Sequence, residues 1–155
     1  MSMKRSLTLF FVLLLAVSAC KLKNGREDVD PREQYVGTFA GGYQAVIRIG
    51  SSELDPESGN ATITVAKGAN PKEIALDLVM GQVTERLTAE VNGADFTIID
   101  KKQDRFSINN TVIEGQYSAT GKFVNANEIV IQTQAGAVRG GVQYVKSGSI
   151  SGTRK

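Results

Sequence analysis

The sequence predicts an all-β protein: a single antiparallel, barrel-like domain of about eight strands over residues 35–155, with a β-sandwich as the alternative arrangement of the same strands. Three observations carry this expectation. From Tyr35 onward, short segments rich in Val, Ile, Thr, Tyr and Phe are separated by clusters of Gly, Asn, Asp and Pro, which is the spacing of antiparallel sheet. Within the segments, apolar and polar residues alternate with a period of two, so each strand has one dry face and one wet face. All 16 glycines follow the first twenty residues, where many tight turns have use for them.

The first element, residues 1–19, reads as an export signal. Lys4 and Arg5 give a basic start, an apolar run extends from Leu7 to Val17, and small residues follow. As a helix that run would reach ~16 Å, about half of a hydrocarbon core roughly 30 Å thick, so it is too short for a permanent span. Residues 21–34, KLKNGREDVDPREQ, are polar apart from Leu22 and Val29 and read as a flexible tether that holds the domain about 20 Å clear of a surface. At its end, Asp30-Pro31-Arg32-Glu33 combines a capping residue, a proline and an acidic residue, which predicts one helical turn before the first strand.

The strands follow in order. Tyr43, Ala45, Ile47 and Ile49 alternate with Gln44 and Arg48, and Ile63 and Val65 alternate with Thr62 and Thr64. Asn70-Pro71-Lys72-Glu73 resembles a helix start. Yet Ile74, Leu76, Leu78 and Met80 alternate against Ala75, Asp77 and Val79, and a strand is expected there. Val83, Leu87, Ala89 and Val91 alternate with Thr84, Arg86, Thr88 and Glu90. Four more strands are expected over 96–99, 112–123, 128–133 and 142–150, with turns at Asn92-Gly93 and Asn125-Ala126-Asn127.

Composition removes many functions. The 18 basic and 16 acidic residues differ only by Lys4 and Arg5 of the leader, so the remainder is neutral and carries no nucleic-acid footprint. There is no histidine and a single cysteine. That excludes Ser-His and Cys-His nucleophiles, histidine-bearing zinc sites and any intrachain disulfide. Lys146 and Ser147 cannot act as a catalytic pair, because neighbouring strand residues point to opposite faces. Glu53, Asp55 and Glu57 read as a solvated hairpin tip rather than a Ca²⁺ loop, since their spacing departs from the twelve-residue rule and Pro56 stiffens it. Lys101, Lys102 and Arg105 read as a small basic turn largely neutralised by Asp100 and Asp104. The expectation is therefore a non-enzyme with no catalytic residues, no metal and no cofactor.

Val17-Ser18-Ala19-Cys20 resembles the lipobox of bacterial lipoproteins, in which an apolar and two small residues precede a cysteine that is lipidated and becomes the new N-terminus. The resemblance implies that Cys20 carries acyl chains, and two or three of these make membrane attachment effectively stable. It accounts for an exported chain with one thiol that has no partner for a disulfide. Lys21 in place of Asp implies the outer membrane under the familiar Gram-negative sorting pattern. With Lys21, Lys23 and Arg26 ahead of Glu27, a periplasm-facing position is the first expectation and the cell surface the alternative.

The strand run, including AEVNGADFTIIDKKQ, VIEGQYSATGKFVNANEIVIQTQ and the closing SGSISGTRK, resembles the small lipid-anchored, lipocalin-like domains of Bacteroidetes envelopes. Gly37-Thr38-Phe39 with Arg154 is similar to the calycin pairing of a G-x-W motif with a C-terminal arginine, Phe39 standing where those proteins have Trp. The resemblance implies a barrel closed by Arg154 stacked on Phe39. Phe39, Tyr43, Ile47, Leu76, Leu78, Phe96 and Tyr117 are the expected inward row, either filling the core or enclosing a pocket. The functional expectation is an outer-membrane-anchored, non-catalytic envelope accessory module that binds a small apolar ligand. A structural or protein-partner role is the alternative, and a carboxylate-based hydrolase comes third.

Overall fold

The computed structural model describes residues 29–155; the leader, Cys20 and residues 21–28 of the tether lie outside the described residues. Ten strands follow one 3-10 turn at Glu33–Tyr35: β1 (Gly37–Ile49), β2 (Ser52–Glu53), β3 (Glu57–Lys67), β4 (Glu73–Met80), β5 (Val83–Asn92), β6 (Asp95–Ile98), β7 (Gln103–Ile108), β8 (Thr111–Asn125), β9 (Glu128–Arg139) and β10 (Val142–Arg154). They form one antiparallel sheet in the order β10-β9-β8-β6-β5-β4-β3-β1, and pairing of β10 with β1 closes it. The result is an eight-stranded barrel with β2 and β7 as additional strands. Closure excludes the sandwich: β1 and β10 stay in register from Phe39↔Arg154 to Ile49↔Tyr144.

Alternation explains the registers. In β4, Ile74, Leu76 and Leu78 are at most 1% exposed while Val79 is 41% exposed, so the strand presents one row to the core and one to solvent. The Asn70-Pro71 signature makes a turn instead of a helix, with the Glu73 amide donating to the Asn70 carbonyl at 3.0 Å. Ladders to β3 and β5 on both sides then decide for strand over local helix propensity.

An eight-stranded barrel is just wide enough for side chains to fill, and most of this one is filled. Phe39, Leu76, Leu78 and Phe96 of the expected inward row are buried in the main cluster. Phe123 stacks on Tyr35 at 4.0 Å and meets Phe96 at 5.1 Å, so aromatic rings plug one end. Tyr43 and Tyr117 are half-buried, and Ile47 packs on a second cluster of Phe106, Ile108, Ile113 and Ala135.

Several local expectations are corrected. The β5–β6 loop is Gly93-Ala94, one residue later than Asn92-Gly93, because Asn92 pairs with Asp95 and the left-handed first loop position (φ 65°) goes to Gly93. Strands β2 and β7 were not anticipated. The end of the tether is ordered: Arg32 is 9% exposed and donates to the carbonyls of Asn70 (2.5 Å) and Glu73 (2.7 Å), pinning the 3-10 turn to the β3–β4 connection. Asp30 shapes that segment by accepting from the Arg32 amide and guanidinium rather than by capping an α-helical turn.

Candidate functional site: the open end of the barrel

The two ends of the barrel differ. At the closed end, the Arg154 guanidinium lies 5.0 Å from the Phe39 ring centroid. It donates to the carbonyls of Val36 (2.7 Å), Gln34 (2.7 Å) and Ala126 (2.9 Å), tying the N-terminal turn to the β8–β9 loop. Gly37 has φ 152° and leaves room for that guanidinium, which a Cβ there would overlap. The structure thus brings Gly37, Phe39 and Arg154 together as a structural seal.

The opposite end is shaped by a lapse in pairing. β6 pairs with β5 only over Ala89–Asn92; the chain then leaves the sheet over residues 99–102 and returns as β7, which pairs with β8 alone. The first half of β5 therefore faces β7 across a seam without a backbone ladder. Thr88 terminates the regular pairing, donating its amide to Asp100 Oδ2 at 2.7 Å and accepting from the Ile99 amide at 2.9 Å.

Side chains bridge the seam. Lys101 points inward, its side chain 17% exposed, with Nζ 2.6 Å from Glu85 Oε1 on β5 and 2.8 Å from Asp104 Oδ1 on β7. The same ammonium lies 4.4 Å over the Tyr117 ring. Burial lowers the Lys101 pKa, but its hydrogen bonds to Asp104 and Glu85 outweigh this and hold it above the ordinary lysine value, so it is cationic at neutral pH. Burial also pushes the Tyr117 hydroxyl up to about 12, against a smaller opposing pull from Lys101, so it stays a neutral phenol.

Behind this bridge is a partly enclosed cavity of about 230 Å³. Leu78, Met80, Val83, Tyr117 and Ile150 supply its apolar wall, and Glu57, Glu85, Lys101, Asp104, Arg105 and Lys146 its charges. Tyr43 donates to Glu57 Oε1 at 3.3 Å at the rim, and burial foremost, with Glu57 second, raises its pKa. The lining is mixed, not the wholly apolar surface expected of the inward row. Its volume is below the ~300–1,000 Å³ of drug-sized sites, so the space suits a small guest. A larger trough of about 530 Å³ on the outer face of β1, β10, β9 and β8 is lined by amides and hydroxyls such as Gln44, Gln132, Gln134 and Ser149, and it lies open to solvent.

Other sequence candidates do not converge. Glu53 forms an exposed ion pair with Arg48 at 2.8 Å, Asp55 is exposed and Glu57 turns to the cavity rim. Among the described residues no group of three or more Cys, Asp or Glu side chains is arranged to hold a metal ion. Lys146 faces the cavity whereas Ser147 lines the outer trough, on opposite faces of β10. Sequence reading missed Lys101, Glu85, Asp104 and Lys146 as a group. The available signal was the alternation of Arg105, Phe106, Ser107 and Ile108, which marks a strand in what was read as a basic turn.

No family model matches the chain, and no curated protein matches it. Among solved structures it is similar to a protein of unknown function of the DUF3598 family from Nostoc punctiforme, with a TM-score of 0.48 and 11% identity over 79% of this chain and 48% of that one. It is also similar to a single-residue mutant of the vaccine antigen Transferrin Binding Protein B from Haemophilus parasuis, with a TM-score of 0.46 and 15% identity over 78% of this chain and 27% of that one. The chain spans less than half the length of either neighbour.

Proposed function

We propose that the protein is a lipid-anchored envelope accessory module, non-catalytic, whose barrel mouth accepts a small ligand with an apolar part. The observation that carries the reading is the cavity of about 230 Å³ at one end of a barrel whose other end is plugged by aromatic rings. The space is bounded by Leu78, Met80, Val83 and Ile150, which a ligand's apolar portion would cover. Two of the three carboxylates beside it favour binding over hydrolysis, since Glu85 and Asp104 are held by Lys101 and neither is left as a free general acid or base, while Glu57 stands at the exposed rim against the Tyr43 hydroxyl.

Anchoring rests on Val17-Ser18-Ala19-Cys20, with Cys20 as the acylated residue, and the outer membrane with the domain facing the periplasm is the location this reading favours. Full chain released from membranes in mild detergent and examined by native mass spectrometry is expected to carry a co-purifying small molecule. A clean apo mass, together with no uptake of added apolar compounds, would count against the binding role. Cys20→Ser is expected to abolish labelling with radioactive palmitate and to shift the protein from the membrane to the soluble fraction; unchanged labelling and partitioning would remove the anchor.

A further inference from the structure

The charges around the mouth cavity are unequally matched. Lys101 is held by Glu85 and Asp104, Arg105 faces Glu114 at 3.6 Å, and Glu57 keeps its charge at the exposed rim, accepting only from the Tyr43 hydroxyl. Lys146 is the remaining cation of the lining, and it forms no ion pair or side-chain hydrogen bond with any described residue.

Its position is set by the pleat. On the inner face of β10 it alternates with Tyr144, Gly148 and buried Ile150, and it stands in register between Ile47 of β1 and Ala135 of β9. Both cross-strand neighbours are apolar, so nothing beside it in the sheet supplies a counter-charge. At Gly148, the next inward position, a Cβ would come within 2.6 Å of the Thr133 hydroxyl, and the row carries no side chain between Lys146 and Ile150. Beyond it are Ile150 and, across the cavity, Leu78, Met80 and Val83.

An ammonium drawn into a half-enclosed mouth beside an apolar wall gives up part of its hydration, and a ligand that brings one negative charge offsets that loss. We infer that Lys146 recognises the acidic head of a small amphiphile, a carboxylate in the simplest case, whose short apolar tail lies along Ile150, Leu78 and Met80. This rests on the reading of the mouth as a ligand site and adds the chemical class of the ligand. A cationic head is disfavoured by Lys146, and a long acyl chain does not fit the volume.

The test uses the full chain in phosphatidylcholine nanodiscs, with empty discs as the blank, and equilibrium dialysis of radiolabelled octanoate and of octanol, its neutral counterpart. The expected result is saturable octanoate binding tighter than that of octanol. Lys146→Met should weaken octanoate binding about tenfold, as loss of a charge-assisted hydrogen bond does, while changing octanol binding by less than about twofold. Lys146→Arg should keep the preference for octanoate.

If octanol binds and Lys146→Met leaves octanoate affinity unchanged, the role of Lys146 is overturned and the ligand site stands. If neither compound binds the wild-type chain, both readings fall together. Should Lys146→Met lose octanol binding as well, the arginine variant decides: octanol binding without a preference for octanoate overturns the inference.

Discussion

Two arginines hold the closed end of the barrel by different means. Arg154 sits over Phe39 and supplies three hydrogen bonds to backbone carbonyls from two segments remote in sequence. Arg154→Met keeps much of the stem packing but removes those bonds and the cation–ring contact. It is expected to destabilise the fold by about 2–3 kcal/mol, read as a lower urea midpoint. Arg154→Lys should recover only part of the loss, because one ammonium cannot reproduce a planar fork aimed at three acceptors. Arg32 donates to the carbonyls of Asn70 and Glu73 and is itself held by Asp30, whose carboxyl lies well below its ordinary 3.8, chiefly through its hydrogen bond with the Arg32 guanidinium and then the Arg32 amide. A carboxyl depressed in the folded state contributes stability that is present above 3.8 and lost as pH falls below it. Asp30→Asn should therefore be less stable than wild type near neutral pH, and the gap between their denaturation midpoints should close on acidification through that value. A gap that stays constant would show that the pair does not contribute by ionisation.

At the scale of elements, the seam between β5 and β7 is the place where backbone pairing gives way to side chains. Each lost ladder leaves amides dependent on local bonds, such as those of Thr88 with Asp100 and Ile99, and on the Glu85–Lys101–Asp104 bridge. Lys101→Met would leave two partly buried carboxylates facing each other. It is expected to cost about 1–3 kcal/mol, between the values for exposed and fully buried pairs. Native-state hydrogen exchange should show the damage first in the amides of Gln103–Ile108, with β1 and β10, paired along eleven positions, the last to open. Equal loss of protection across all strands would mean that the seam opens only with the whole barrel. Strand β7 also shows why some elements were legible and others not. Long alternating segments such as Ile74–Met80 are readable because one row must be dry, whereas Gln103–Ile108 is short and opens beside Lys101 and Lys102, whose charges masked the buried Phe106 and Ile108.

For the molecule as a whole, asymmetry is the main feature: one end sealed by Tyr35, Phe39, Phe96 and Phe123, the other open around a small, charged-rimmed cavity. That division follows from where the large rings fall in the inward rows and from β6 stopping short, which leaves space that no side chain fills. The same two features separate what was written in the chain from what folding decided. Strand periodicity, the neutral composition without histidine and the single cysteine behind an apolar run are all readable residue by residue. Each depends on local pattern or on what residue types can do. Barrel closure, the inward turn of Lys101 and the isolation of Lys146 are not readable in that way. They depend on which strands become neighbours, across about 100 residues for β1 with β10 and across 16 for Lys101 with Glu85, and a charged side chain acquires its environment only when those neighbours are in place.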